Sequence, residues 1–218
     1  MSATPARRAV LLALPVLALG GGVLLGRALP TAPEETSVDV GFCRDMANHH
    51  AQAVAMATTA LRHDTGEEVA TLAMDVLLTQ QNQIGRMQAL LIGWDRPVAS
   101  TGPPMLWMSA AHEGGHGTTG QGSGDGTGDG TGAMPGMASA AELAELDALT
   151  GQAFEVRFLQ LMIRHHGGAA EMAAHARDHA TTPQVRALAG AMVTGQQVES
   201  EQMALLLRAR GGEPLAAG

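Results

Sequence analysis

Phe42-x-x-x-Met46-x-x-His49-His50-x-x-x-x-x-Met56 returns further along the chain as Phe158-x-x-x-Met162-x-x-His165-His166-x-x-x-x-x-Met172, every matched position displaced by 158 − 42 = 116 residues. The register continues without a gap through His63 and His179, Leu72-Ala73 and Leu188-Ala189, Gln80-Gln81 and Gln196-Gln197, Met87 and Met203, and Leu90-Leu91 and Leu206-Leu207. Self-similarity at a fixed offset marks a duplicated structural unit and takes precedence over other fold signals. Each unit divides into two helical segments. Apolar residues recur at helical spacing from Asp39 to Arg62, His63-Asp64-Thr65-Gly66 carries turn chemistry, and a second helix begins at Glu67-Glu68 and runs to about Ile92, where Gly93 and Pro97 are expected to end it. In the second unit Ser139 and Glu142 form a capping box that opens a short helix to about Leu149. A long helix follows from about Ala153 to His179, then a Thr181-Thr182-Pro183 turn, then a helix to about Arg210 that Gly211, Gly212 and Pro214 stop. Two hairpins of matching length cover each other's apolar faces, which predicts an all-α, four-helix bundle.

Composition agrees. Of 218 residues 45% are apolar, yet aromatics make up only 2%, so Leu, Ala, Val and 13 Met build the core, a mixture that favours helices over strands. The net charge of −8 leaves no basic stripe to displace counterions from phosphates, which argues against a nucleic-acid partner. Cys43 is the only cysteine, so no internal disulfide and no cysteine-based zinc or iron-sulfur site is available. It reads as a small buried hydrophobe.

At the N-terminus Arg7-Arg8 precede an apolar run from Ala9 to Leu25. Basic-then-apolar order is that of an export segment, either removed or retained as a membrane anchor. Residues 1–33 are accordingly assigned to this segment and its linker, and the remainder is expected outside the cytoplasm. Residues 34–218 form the bundle domain: repeat one over 39–92, repeat two over 139–210, and between them 93–138. That stretch is rich in Gly, Thr, Ser and Pro and is expected to be a flexible linker. It carries Met105, Met108, His112, His116, Met134 and Met137, metal-capable side chains on a segment without a core of its own.

At about 100° per residue, Met46, His49, His50, Ala53, Met56, Ala57 and His63 share one stripe about 140° wide, joined by Asp39 and Phe42. The face turned to the bundle interior therefore bears the imidazoles and thioethers, and the second repeat has the same geometry. The candidate metal ligands are Met46, His49, His50 and Met56 with Met162, His165, His166 and Met172. Gln80, Gln83 and Met87 on one helix, and Met192, Gln196, Glu199 and Met203 on its counterpart, are placed to complete or orient a site. Thioether sulfur is a soft ligand that selects Cu(I), while imidazole also serves Cu(II), so copper is the expected ion. The competing reading is packing: methionine at helical spacing fills cores, and buried imidazoles can hydrogen-bond to Gln80, Gln196 or Glu199 and lock helix register. His63 and His179, at helix C-termini, are suited to capping, and His175 is expected at the surface.

On these residues the chain resembles the family known as domain of unknown function 305, DUF305. The resemblance rests on F-x-x-x-M-x-x-H-H-x-x-A-x-x-M-A, matched from Phe42 to Ala57 and from Phe158 to Ala173, and on Q-x-x-E-x-x-x-M, matched by Gln196, Glu199 and Met203. It implies a ferritin-like bundle, export and, for some members, copper binding through Met and His. The first repeat departs from it with Gln83 where the second has Glu199. A ferritin-like dinuclear iron enzyme would need Glu-x-x-His pairs on the bundle helices, which the expected helical segments lack, and no nucleophile sits in a recognisable elbow. The expected function is non-catalytic copper binding; the alternative is a structural or interaction bundle that binds no metal. Expected partners are the metal ion and, if the leader is retained, the membrane; a homo-oligomer is compatible with the sequence.

Overall fold

The computed structural model describes residues 31–100, 102–109 and 134–215. The export segment and the middle of the linker, with His112 and His116, lie outside these. The described chain is all-helical: α1 (Val38–Arg62), α2 (Glu67–Gly93), a short α3 (Leu106–Ser109), α4 (Ala140–Ala148), α5 (Gly151–His179) and α6 (Pro183–Ala209). Local chemistry sets the boundaries. Ser37 and Thr182 each accept a hydrogen bond from the backbone N–H three residues on, and Ser139 with Glu142 completes the expected capping box. At the C-terminal ends of α2 and α6 the same six-residue closure appears twice, Arg96 N–H to Leu91 O at 2.9 Å and Gly212 N–H to Leu207 O at 3.0 Å. The left-handed residue it requires is Asp95 in one copy and Gly211 in the other, with φ of 56° and 72°. Asp95, two residues past Gly93, is therefore the conformational stop for α2.

α1 pairs with α2 and α5 with α6, and the two hairpins meet through α1 and α5. Asp39, on the first turn of α1, accepts from Thr181 N–H and Oγ1 (both 2.9 Å) and from Thr182 N–H and Oγ1 (2.8 and 2.6 Å), at the turn into α6. Glu155, on the second turn of α5, accepts from Gly66 N–H at 2.6 Å, at the turn into α2, and pairs with Arg210. Since 39 + 116 = 155 and 66 + 116 = 182, these are one interaction made twice. Each repeat's first helix caps the start of the other repeat's second helix, where a carboxylate meets both free N–H groups and the favourable end of the helix dipole. The first helices consequently run antiparallel.

Two apolar clusters fill the bundle. One gathers Phe42, Met46, Met87, Leu91, Met172, Leu188 and Met192, the other Met56, Leu72, Phe154, Phe158, Met162, Met203 and Leu207. Shifting by 116 carries Met46, Met87 and Leu91 of the first onto Met162, Met203 and Leu207 of the second, so an approximate twofold axis exchanges the two ends.

The linker departs from that symmetry, and its described ends are packed on the bundle, unlike the flexible spacer expected there. Trp107 is buried and forms a T-shaped contact with Phe42 at 5.9 Å between ring centroids. Asp45 Oδ2 accepts from Trp107 Nε1 (2.8 Å) and Met105 N–H (2.7 Å). The indole lies so close to Gly41 that any Cβ there would collide with it. At the other end Gln52 forms two hydrogen bonds with the Ala138 backbone, at 2.7 and 2.8 Å, and an added Cβ on Gly168 would strike the Pro135 carbonyl. The matched residues of the opposite repeat, Arg157 for Gly41 and Gly168 for Gln52, show that each docking place exists once. His175, expected at the surface, is half-buried beside Trp107, and His63 stacks on Phe154 at 4.1 Å.

Removing a carboxylate that receives four hydrogen bonds strands the Thr181 and Thr182 donors. Asp39→Ala is expected to cost about 2–4 kcal/mol and to lower the thermal midpoint by roughly 5–15 °C. Differential scanning calorimetry checks this, and an unchanged midpoint would show that the crossed cap is not a stability element.

Candidate metal centre

His49, His50, His165 and His166 sit near the middle of α1 and α5, and all four are fully buried. His49 and His165, related by the repeat offset, face each other with ring centroids 3.9 Å apart and planes tilted by 44°. Every Nε2 lies against an oxygen: His49 on Pro135 O (2.8 Å), His165 on the His49 backbone O (3.1 Å), His50 on Gln83 Oε1 (2.6 Å) and His166 on Glu199 Oε2 (2.7 Å). An oxygen acceptor assigns the proton of a neutral imidazole to the nitrogen facing it, which fixes the tautomer as Nε2–H. Each Nδ1 is then a lone-pair donor, and none of the four has a hydrogen-bond partner in the protein. On α2 and α6 the buried amides of Gln80 and Gln196 are equally unsatisfied at both their oxygen and nitrogen atoms. Buried polar atoms normally have partners, so six such side chains at one level of the bundle form a polar belt between two apolar clusters.

Burial is the main force on the imidazoles' charge. It pulls His49 down to about 4 and His50 to about 3, against the opposing pull of the hydrogen bonds to Pro135 and Gln83, and it holds His165 well below the ordinary histidine value, aided by its histidine neighbours. These three are neutral at pH 7 and present lone pairs in place of protons. Cys43, whose thiol burial raises to about 12, is not a thiolate donor.

All four expected methionines are buried, but they do not gather by repeat. Met46 packs with Met172, Met87 and Met192 on one side of the histidine belt, and Met56 packs with Met162 and Met203 on the other. Thioethers that share a neighbourhood come from opposite repeats because α1 and α5 run antiparallel, a relation that spacing within one repeat does not carry. Pro135 O and the His49 carbonyl are backbone acceptors without a residue-type signature and had no sequence signal. Among the described residues, no three His, Cys, Asp or Glu side chains converge as a preformed ligand cluster. The donor set available is imidazole Nδ1 lone pairs with thioethers to either side.

The depressed histidine values make acid a folding stress. An unfolded imidazole takes up its proton near pH 6.5, whereas buried His49 and His50 resist until about 4 and 3. The unfolded state therefore binds more protons in between, and stability is full above about pH 6.5 and falls as pH drops, by up to about 1.4 kcal/mol per pH unit for each histidine. A thermal midpoint declining steadily from pH 7 to 5, above the range where carboxylates titrate, is the expected result. His50→Gln should reduce that slope. A flat profile would mean that the imidazoles are protonated as readily folded as unfolded.

The family model for DUF305, described as a domain of unknown function, matches residues 39–207. No protein of curated function matches the chain at a significant level. Among solved structures, a presumed secreted DUF305 protein of Streptomyces coelicolor is 37% identical, with a TM-score of 0.71 over 84% of this chain and 99% of its own. A DUF305 fragment from Deinococcus radiodurans is 32% identical, with a TM-score of 0.63 over 83% and 99%. CopM, solved in its Cu(I)-bound form, shares the fold at 23% identity, with a TM-score of 0.57 over 80% and 98%, and has also been solved with Cu(II). With the duplicated F-x-x-x-M-x-x-H-H element on the two central helices of the bundle and the family match spanning both repeats, the chain is a member of the DUF305 family.

Proposed function

We propose that this protein is a non-catalytic, extracytoplasmic copper-binding protein that takes the ion on imidazole Nδ1 atoms of the histidine belt, with Met46, Met56, Met162 and Met172 as sulfur donors. The observation that carries the reading is the set of four buried Nδ1 lone pairs without a protein partner, each aligned by a hydrogen bond through its own Nε2. Metal-bound histidines characteristically donate their second ring N–H to a carbonyl or carboxylate in this way. Flanking thioethers favour Cu(I) over harder ions, and imidazole extends the range to Cu(II). The reading is supported by CopM, which has the same fold and has been solved in Cu(I)-bound and Cu(II)-bound forms. Export rests on the basic-then-apolar N-terminus and is supported by the presumed secreted Streptomyces relative; among the described residues no helix is long and apolar enough to cross a membrane. The packing reading has its own support in the bond from His165 Nε2 to the His49 carbonyl, which ties α5 to α1 at matched positions.

Titration with Cu(I), Cu(II), Zn(II) and Fe(II) separates the two. Copper binding that falls by at least about 100-fold in the paired variants His49→Gln/His165→Gln and His50→Gln/His166→Gln, with helicity retained by circular dichroism, is the expected outcome. Binding that survives both variants would place the ion elsewhere. No binding to the unmutated protein would leave the histidines as packing elements.

A further inference from the structure

The duplication is not chemically even. His50 and His166 are matched residues, as are their partners, since 50 + 116 = 166 and 83 + 116 = 199. Both pairs have one geometry, Nε2 to a side-chain oxygen at 2.6 Å and 2.7 Å. They differ in one functional group: Gln83 presents an amide oxygen, Glu199 a carboxylate. The oxygens facing the other two belt imidazoles are the Pro135 and His49 carbonyls, so of the four acceptors only Glu199 is ionisable.

We infer that Glu199 is a positioning residue that makes the α5–α6 half the stronger of two unequal copper sites, so that the first ion bound is held through His166. This rests on the copper reading above. Two physical effects act together. A carboxylate accepting the Nε2 proton draws it outward and increases electron density at Nδ1, the atom that would meet the metal, more than a neutral amide does. A cation entering the belt also loses its hydration among apolar side chains, a cost that a nearby negative charge offsets and a neutral amide does not. Glu199 keeps part of its side chain in solvent, at 20% exposure, while His166 is wholly enclosed. It therefore supplies countercharge from the rim without being fully desolvated itself. The first repeat has the same frame without the charge.

A reciprocal, nearly isosteric exchange in the full chain tests this: Glu199→Gln, Gln83→Glu, and the two combined, each titrated with Cu(I) against a chromophoric chelator and checked for an unchanged thermal midpoint. Glu199→Gln is expected to weaken the first binding step by about 10–100-fold. Gln83→Glu is expected to strengthen the α1–α2 half, a gain that a purely structural role for these side chains would not produce. In the double exchange the tight step should move between halves, so that His50→Gln abolishes it there as His166→Gln does in the parent. A parent that binds Cu(I) while Glu199→Gln binds equally well, or Gln83→Glu without any gain, overturns the inference and leaves the copper reading standing. A parent that binds no copper overturns both.

Discussion

The hydrogen bond from each buried imidazole Nε2 to an oxygen is the constraint on which the interior of this bundle depends. It fixes the tautomer, orients the ring and leaves Nδ1 facing the interior as an acceptor. Two of the oxygens belong to the backbone. The His49 carbonyl is reached from His165, which sets how closely α1 and α5 approach at their midpoints, and the Pro135 carbonyl is reached from His49, which brings the end of the linker onto the bundle. Helix crossing, linker docking and donor orientation are consequences of the same contacts.

A bundle optimised for stability alone would place Leu where these histidines lie. Instead, the polar belt interrupts an otherwise apolar interior and leaves the imidazole Nδ1 atoms and the amides of Gln80 and Gln196 without partners in the protein. Stability is recovered at the ends, where Met- and Leu-rich clusters close over the belt and crossed carboxylates tie one hairpin to the other. Local rules broken in the middle and satisfied at the periphery are the usual distribution when a fold carries a site. The carboxylates have their own electrostatics. Burial tends to raise Asp39 and Glu155, but hydrogen bonds from the threonines, and from Arg210 with Gly66, override it and leave both below the ordinary carboxylate range.

Much of this was legible in the residues. Periodicity, turn chemistry and the Ser139–Glu142 box located the five longer helices, because those signals are local and each helix has a single apolar face; the short α3 lies in the segment expected as linker. The repeat offset identified the matched histidines and methionines. What spacing does not contain is the relation between repeats: Met46 meets Met172, and not Met56, because the central helices are antiparallel. The docking of the linker's described ends was hidden for a different reason. The linker's composition is that of a solvated spacer, and the features that anchor it, Gly41 beneath Trp107 and Gly168 beneath Pro135, are absences of a side chain that read as ordinary helix glycines until the neighbouring chain is seen. Asp39 was visible on the inward stripe, but its targets lie more than 140 residues away in sequence.

The crossed carboxylates also bear on where such a molecule comes from. A single hairpin of this kind carries a carboxylate on its first helix and, at the turn before its second, backbone N–H groups that need an acceptor, and it cannot bring the one to the other. Two identical hairpins related by a twofold axis can do so reciprocally, which is the self-complementarity of a cyclic dimer. Joining the copies in one chain preserves that mutual dependence and frees each to diverge, so that one carries a carboxylate at position 199 and the other an amide at 83, and one offers a glycine seat for an indole that its twin lacks. Asymmetry of this sort is open to a fused pair and closed to a homodimer.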